Sequence, residues 1–252
     1  MSDRTYCVVT TGRNCSAQVA ACLGSIAEQR DVSVRCCVVD DASDGDHAHQ
    51  PGLVADLCSE HGFEFIRHDD VVGAMGSQWE AWHALAPGPD DVVVWVDLDD
   101  RLAYDGALAR VDVEYEAGAL LTYGSYRPDP PSETCPPVVA YPEVVVRRRA
   151  FRQHMRRGGI LFNHLRTVSW DALRRIPEAY LRGPDGAWYR AGPDSAVMIS
   201  ALEIVGARHA VIEDVLYIYT SDNPLSEWRR WPEEVNAAHR HQSRRPRLRS
   251  IR

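Results

Sequence analysis

Acidic side chains cluster at two points in the first half of the sequence, each directly after a short apolar run. The clusters are Asp40 and Asp41 after residues 34–39, and Asp97, Asp99 and Asp100 after residues 92–96. Three carboxylates within four residues repel one another unless a cation or hydrogen-bond donors compensate their charge. Because the ligand atoms would all be oxygens, this pattern indicates Mg²⁺ or Mn²⁺, with water and substrate phosphates completing the coordination. The sequence therefore predicts a metal site that handles a phosphorylated compound.

Short acidic motifs also occur as ordinary turns and helix caps, since Asp side chains hydrogen-bond to nearby backbone N–H groups. Asp90, Asp91 and Asp105 are interpreted in this way. The two clusters above differ because both follow apolar strands. In an open parallel sheet, ligands bind beyond the carboxyl ends of the strands.

The elements that must position these carboxylates alternate between strand and helix. Apolar, β-rich runs predict strands at residues 6–10, 34–39, 64–67, 92–96 and 120–123. Helical spacing of apolar residues predicts helices at 16–29, 52–61, 76–85 and 105–117. This order predicts an α/β fold whose mostly parallel central sheet carries helices on both faces.

The second half begins with a proline-rich segment, residues 127–142, which should be irregular. Beyond it we expect helices at 148–157, 169–175, 194–205 and 226–240, and strands at 209–212 and 215–219. The final residues, 243–252, are mostly Arg, Ser and Pro and are expected to be mobile.

Composition limits the class of protein. With 252 residues, 45% hydrophobic and 25% charged, the chain is that of a globular domain. No apolar run approaches the ~20 residues needed to cross a bilayer, and no signal peptide opens the sequence, so we expect no membrane span and a cytoplasmic protein. Seven cysteines without a C-x-x-C motif predict neither a structural disulfide nor zinc.

Charge is distributed unevenly along the chain. All 28 basic residues are Arg; residues 1–143 hold 8 of them against 25 Asp and Glu, whereas residues 144–252 hold 20 against 11. An acidic half suits a divalent cation, and a basic half suits phosphate or a polyanion, although solvated surfaces give the same pattern.

Three stretches resemble the signature motifs of family 2 glycosyltransferases with the GT-A fold. They are VVTTGRN at residues 8–14, VVDDASDG at 38–45 and VWVDLDDRL at 94–102. Residues 163–167, 194–206 and 215–219 are similar to the second half of a bacterial and viral branch of that family. The resemblance covers about residues 5–228 and implies a Rossmann-like GT-A domain with a C-terminal helical extension. Its parts would be a nucleotide-sugar-binding half (1–126), an acceptor-binding and catalytic half (127–225), and a C-terminal helix with an Arg-rich tail (226–252).

The same resemblance implies roles for individual residues. The nucleotide would contact Thr10, Arg13, Asp41 and Gly73, with Asp41 accepting a hydrogen bond from the base. The ribose or donor sugar would face Asp97, the metal would bind Asp99 and Asp100, and the general base would be Asp194. The chain departs from the family at Leu98, where a small residue is usual, and at residues 10–14, where a Pro-Ser/Thr-Tyr-Asn turn is usual.

The resemblance implies that the chain would move a sugar from a nucleotide-diphosphate sugar, with a UDP-sugar as the expected donor, to an acceptor hydroxyl. A cation neutralises the departing diphosphate and one base deprotonates the acceptor, which predicts inversion at the anomeric carbon. Arg166 would assist at the phosphates or form a structural ion pair, and His164 would approach the metal or remain structural. Trp188 and Tyr189 are hypothesised to form an acceptor-binding wall. The acceptor, a glycan, a protein or a modified nucleic acid, stays open, and a polyanion would suit the Arg-rich half.

Two other classes remain as alternatives. A metal-dependent nucleotidyltransferase also uses carboxylates at a strand end, but it would usually carry a Gly-rich phosphate loop, and residues 11–14 contain a single Gly. A non-catalytic nucleotide or nucleic-acid binder is indicated by the Arg clusters at 147–149, 156–157 and 244–252.

Overall fold

The computed structural model describes residues 4–131, 137–224 and 226–251, and these form an eight-stranded sheet flanked by helices. Residues 132–136 of the proline-rich segment and Arg252 of the tail lie outside the described residues. The strands are β1 (Thr5–Gly12), β2 (Ser33–Asp40), β3 (Glu64–Arg67), β4 (Val92–Trp95), β5 (Arg101–Leu102), β6 (Leu121–Asp129), β7 (Arg166–Ser169) and β8 (His209–Thr220). Their order across the sheet is β3-β2-β1-β4-β7-β6-β8-β5.

The strands β3, β2, β1 and β4 are parallel neighbours. Both faces of β4 are buried, because Val92 and Val94 belong to the apolar core on one face of the sheet and Val93 and Trp95 to the core on the other. Side chains alternate between the faces of a strand, so an unbroken apolar run is what a strand covered on both faces requires. The predicted α/β fold and its first four strands are confirmed.

Helices cover both faces of this sheet. They are α1 (Val19–Ala27), α2 (Gln50–His61), α3 (Ala74–Leu85), α4 (Ala107–Glu116), α5 (Glu143–Arg148), α6 (Phe151–Arg156), α7 (Trp170–Leu173), α8 (Pro193–Val205), α9 (Glu227–Arg230) and α10 (Pro232–Arg244). Short 3₁₀ helices occupy Gly45–His47 and Glu178–Leu181. Among the described residues, no helix combines the length and apolar composition needed to cross a bilayer.

The second half of the sheet departs from the predicted elements. Strand β7, which the sequence did not predict, runs antiparallel between β4 and β6. Strand β6 extends to Asp129, so the irregular segment begins later than predicted, because β8 provides a parallel partner along its length. The two strands predicted within 209–219 form a single strand, β8, in which bulged pairing with β6 accommodates the polar residues Glu213 and Asp214.

The helix predicted at 148–157 begins only at Phe151 as α6, and α5 ends before it at Arg148, because Arg149 adopts a left-handed conformation with φ of 51°. The Arg149 guanidinium donates hydrogen bonds to the carbonyl oxygens of Glu203 (from Nε, 2.7 Å) and Leu248 (from Nη2, 2.9 Å). The helix predicted at 226–240 is also divided, since Pro232 has no N–H to continue α9 and instead begins α10.

The end of the chain, which was predicted to be mobile, is bound along α8 instead. The N–H of Leu248 donates to Glu203 Oε2 (3.0 Å), and the N–H of Ile251 donates to the carbonyl of Ile204 (3.1 Å). Glu203 is 1% exposed, and the same Oε2 accepts from Arg152 Nε (3.0 Å). The Arg-rich composition indicated a solvated segment, but backbone hydrogen bonds and a buried ion pair hold it in place.

Replacing Glu203 with Gln should lower the free energy of unfolding by about 3 kcal/mol, because it leaves the buried Arg152 guanidinium without a counter-charge. Urea unfolding measures this loss. The matched control is Glu178→Gln, which breaks the exposed ion pair with Arg182 and should cost at most about 0.5 kcal/mol. Equal losses in the two variants would contradict the structural role of the buried pair.

Candidate active site

A cleft with a volume of about 440 Å³ opens at the carboxyl ends of β1, β2 and β4. The start of α8 and the segment from β8 to α10 form its other walls. Nine residues singled out from the sequence line it together: Arg13, Asp41, Gly73, Asp97, Asp99, Asp100, His164, Arg166 and Asp194. Residues far apart in the sequence thus meet in one site.

The end of β1 is tightly packed. Thr10 is fully buried and does not line the cleft, whereas its neighbour Thr11 does. A Cβ atom on Gly12 would lie only 2.6 Å from Cβ of Leu98, which is itself fully buried. The larger residue at position 98 therefore fits because position 12 carries no side chain.

The loop after β2 contains a structural carboxylate and is bound by a cleft-lining cation from the end of β1. Asp40 is fully buried and accepts hydrogen bonds from the N–H of Ser43 (2.9 Å) and from Gln50 Nε2 (2.7 Å), so it organises the loop. The Arg13 guanidinium donates to Asp44 Oδ2 (2.6 Å) at the edge of the cleft. The two consecutive aspartates after β2 thus have different surroundings.

The second of these aspartates, Asp41, faces the cleft and is held from three sides. Its Oδ1 accepts from the N–H of Val72 (2.8 Å) and contacts His68 Nδ1 (2.9 Å), and its Oδ2 accepts from the N–H of Gly73 (2.8 Å). Gly73 has a φ of 91°, which side-chain-bearing residues rarely adopt. Glycine at this position lets the backbone turn toward the carboxylate.

The acidic end of β4 is hydrogen-bonded to β8 and the loop after it. The hydroxyl of Tyr217 donates to Asp100 Oδ2 (2.8 Å) and accepts from the N–H of Asp97 (3.0 Å). A backbone N–H of β8 donates to the other oxygen of Asp100 (2.7 Å), and Asn223 Nδ2 donates to Asp99 Oδ2 (2.6 Å). These hydrogen bonds fix the carboxylates of Asp99 and Asp100 and the backbone of Asp97.

The three carboxylates at this strand end are costly to ionise together. Burial raises the pKa of Asp97 to about 6. Repulsion from Asp99 and Asp194 adds to this increase, and attraction to Arg166 opposes it. Burial also raises the pKa of Asp99, and burial with repulsion from its acidic neighbours raises the pKa of Asp100 well above its ordinary value. An added positive charge would offset this cost.

An imidazole joins this cluster. Ligand atoms of Asp97, Asp100 and His164 all lie within 4.8 Å of one another, whereas Asp99, assigned to the metal from the sequence, lies outside this group. His164 Nδ1 is buried, and no hydrogen-bond partner reaches it from the described part of the chain. Burial and Arg166 lower the pKa of His164 well below its ordinary value, so the ring is neutral, the form that binds metals. The ring stacks on Tyr217 with centroids 4.4 Å apart.

Arg166 connects the two halves of the cleft. It lies on β7, directly opposite Trp95 of β4, and is 7% exposed. Its Nη1 donates to Asp194 Oδ2 (2.8 Å), and its Nη2 lies 3.5 Å from Asp97 Oδ2. Both carboxylates are therefore oriented by one planar guanidinium.

Asp194 stands at the start of α8, after Gly192 in a left-handed conformation. Its Oδ1 accepts from the N–H of Ser195 (2.8 Å). The hydroxyl of Ser195 is hydrogen-bonded to His239 Nε2 (2.9 Å), and burial lowers the pKa of His239 despite the nearby Asp194. The carboxylate thus has defined partners and still lines the cleft.

The predicted acceptor wall lies elsewhere in the structure. Neither Trp188 nor Tyr189 lines the cleft. Tyr189 is buried, with its hydroxyl hydrogen-bonded to His241 Nδ1 (2.7 Å). Trp188 packs against Trp79, with ring centroids 5.3 Å apart. Tyr189 therefore packs in the interior, whereas Trp188 is partly exposed at the protein surface.

Two cations that sequence reasoning did not single out line the cleft instead. The guanidiniums of Arg190 and Arg230 lie 5.9 Å and 5.0 Å from the ring centroid of Trp231. Neither forms an ion pair with a described carboxylate. In the sequence, only the adjacency of Arg230 and Trp231 could have indicated this pair of cations. Arg190 is distant in the sequence, and the fold brings it close to Trp231.

No protein-family model matches the chain, and no curated protein matches it. Solved structures do. TarS 1–349 from S. aureus superposes with a TM-score of 0.64 and 16% identity, over 86% of this chain and 60% of that one. Glucosyl-3-phosphoglycerate synthase from Mycobacterium tuberculosis, in complex with Mn²⁺, UDP and phosphoglyceric acid, superposes with a TM-score of 0.61 and 18% identity. The superposition covers 97% of this chain and 80% of that one.

A third similar structure is the mannosyltransferase PcManGT from Pyrobaculum calidifontis in complex with GDP-Man and Mn²⁺, with a TM-score of 0.57 and 17% identity, over 87% of this chain and 58% of that one. The chain spans about 60% of the length of TarS 1–349. The predicted fold is confirmed: the domain has the Rossmann-like GT-A fold.

Proposed function

We propose that the chain is a metal-dependent, inverting glycosyltransferase of family 2 that uses a nucleotide-diphosphate sugar. The observation that carries this proposal is the convergence of strand-end carboxylates, a buried unpartnered imidazole nitrogen and Asp194 in one cleft of a GT-A fold. The solved complexes of similar structures support a UDP-sugar donor, because TarS 1–349 is solved with UDP-GlcNAc and the mycobacterial synthase with UDP and Mn²⁺.

The nucleotide would lie between the ends of β1 and β2. Asp41 would accept a hydrogen bond from the base, Gly73 would allow close approach of the backbone, and Arg13 would line the same wall. Thr11 would line this wall in place of Thr10, because Thr10 is fully buried and does not reach the cleft. The ribose or donor sugar would lie beside Asp97.

The residues of the cleft fit a divalent cation. Asp97, Asp100 and His164 would hold it, because their ligand atoms converge and the Nδ1 of His164 has no other partner in the described chain. Asp99, the other residue expected from the sequence, would lie next to them with its Oδ2 held by Asn223. When bound, the cation would stabilise the negative charge that develops on the departing diphosphate.

Mn²⁺ binding in the presence of UDP should weaken by roughly tenfold or more in Asp100→Asn and in His164→Phe. The first variant keeps a hydrogen-bond acceptor, and the second keeps the ring that stacks on Tyr217. The signal of free Mn²⁺ in electron paramagnetic resonance reports the affinity. Asp90→Asn, an exposed residue outside the cleft, is the control. Wild-type affinity in both site variants would exclude this ligand set.

Asp194 would act as the general base. As the acceptor oxygen attacks the anomeric carbon, its proton passes to the Asp194 carboxylate, and the bond from that carbon to the diphosphate oxygen breaks with its electron pair on the leaving group. Arg166 would orient the carboxylate through its 2.8 Å hydrogen bond. A single displacement of this kind inverts the anomeric configuration.

Asp194→Asn should retain UDP-sugar binding and lose transfer by about 10²- to 10⁴-fold, because the base is removed while the donor site is intact. The measurement is UDP release from a panel of UDP-sugars with Mn²⁺, with water as acceptor. The control is Asp56→Asn, exposed on α2. Release of pyrophosphate from a nucleoside triphosphate would favour a nucleotidyltransferase, and binding without turnover would favour a non-catalytic binder.

We also propose that the acceptor is a polyanion. Eight exposed arginines, here called the arginine surface, are carried by α5, α6, α10 and the bound tail: Arg147, Arg148, Arg156, Arg157, Arg240, Arg244, Arg247 and Arg249. None forms an ion pair with a carboxylate of the described residues. These elements are joined, since Arg152 Nη1 donates to the carbonyl of Gln242 (2.7 Å) across α6 and α10. The same α10 contributes Val235 and His239 to the cleft.

Binding of a labelled single-stranded oligonucleotide should weaken steeply with salt, and the double variant Arg240→Gln/Arg244→Gln should reduce the salt slope by about 1 to 2. Fluorescence anisotropy measures both. Arg30→Gln/Arg35→Gln in the acidic half is the matched control and should leave the slope unchanged. Salt-independent binding would contradict a polyanionic acceptor.

A further inference from the structure

His68 lies behind the cleft with a carboxylate at each of its ring nitrogens. Its Nδ1 is 2.9 Å from Asp41 Oδ1, and its Nε2 is 2.8 Å from Glu80 Oε2 on α3. The His68 ring is 9% exposed, whereas the Glu80 side chain is about half exposed. The imidazole therefore connects a solvent-facing carboxylate to the carboxylate that lines the cleft.

With both carboxylates ionised, this geometry requires a charged ring. A neutral imidazole has a single N–H and can donate to only one of two ionised carboxylates, whereas an imidazolium donates to both. Burial lowers the pKa of His68, but hydrogen bonds and charge attraction from Asp41 and Glu80 outweigh burial and raise it above its ordinary value of 6.5. Asp41 at the end of β2 and Glu80 on α3 are the charged groups that act on the ring.

The imidazolium also limits what Asp41 can do. Each carboxylate oxygen has two acceptor positions. The Oδ1 of Asp41 uses both, for His68 and the N–H of Val72, and Oδ2 uses one, for the N–H of Gly73. One acceptor position on Oδ2 remains, on a carboxylate that lines the cleft.

We propose that His68 is a positioning residue for nucleotide recognition: its doubly hydrogen-bonded ring fixes Asp41 so that the free Oδ2 position accepts the ring N–H of the base. This inference rests on the proposed nucleotide site and deepens it. A base with a ring N–H donor, such as uracil or guanine, fits the remaining acceptor. Cytosine and adenine have an acceptor nitrogen at the corresponding ring position and therefore lack this ring N–H donor.

The direction of the pH dependence follows from the geometry. Below the raised pKa of His68 the ring is charged and holds Asp41, so the affinity for the base is highest at these pH values. As the pH rises through that value the ring becomes neutral, and Glu80 and Asp41 compete for its single N–H. Affinity for the nucleotide therefore falls on the alkaline side.

The test compares UDP with inorganic pyrophosphate, which has no base, by isothermal titration calorimetry with Mn²⁺ between about pH 6 and 8.5. In His68→Ala, UDP affinity should fall roughly tenfold at low pH, the loss expected for a hydrogen bond to a charged group, while pyrophosphate affinity is unchanged. The neighbouring exposed Asp69→Asn is the matched control. Circular dichroism verifies that each variant folds.

Glu80→Gln supplies a readout that a merely structural histidine would not give. The Gln amide can donate to Nε2, so a neutral ring keeps its N–H for Asp41 across the pH range. The alkaline decline in UDP affinity should therefore be flatter than in the wild type. Equal UDP affinities in wild type and His68→Ala, or an unchanged pH profile in Glu80→Gln, would overturn the inference about His68 but not the proposed nucleotide site. A wild-type protein that binds pyrophosphate but no nucleotide would overturn the proposed nucleotide site as well.

Discussion

The cleft depends on one buried guanidinium. Arg166 is placed by antiparallel pairing of β7 with β4, and it contacts a carboxylate from each half of the chain, Asp97 and Asp194. Without it, burial would leave these carboxylates to repel each other across the site. The guanidinium is buried, whereas each carboxylate side chain is about one-third exposed, so one cation orients two acids that still face the cleft. The end of β4 and the start of α8, which form two walls of the cleft, are therefore joined by a single side chain.

The local part of this arrangement could be predicted from the sequence. Residues 92–100 contain both a strand buried on two faces and its acidic end, so periodicity alone indicates the strand and its place in the sheet. The resemblance to family 2 motifs added Asp194 and His164. What no local pattern contained was β7, whose four residues are a strand only because β4 and β6 lie on either side. The convergence of His164 with Asp97 follows from that pairing.

The same limit explains the errors at the C-terminal end. Composition indicated a mobile tail, because an Arg-rich sequence with few apolar residues buries little surface by itself. Its stability comes from partners elsewhere: the carboxylate of Glu203 and the carbonyl of Ile204, both on a helix that is buried along nearly its whole length. Likewise, the loop beside Asp194 gave no indication that Trp188 packs against Trp79 of α3, and the acceptor role of Trp188 stays a prediction. Tertiary partners decided both cases.

One helix, α10, has a geometric consequence for how an acceptor would arrive. His239 and Val235 of this helix face the cleft, and Arg240 and Arg244 are exposed on it. An α-helix with its side chains is about 10 Å across. A threadlike molecule lying against these arginines would thus be separated from the cleft wall by no more than the width of this helix. Under the proposed function, one helix would contact the acceptor on one face and line the cleft with another.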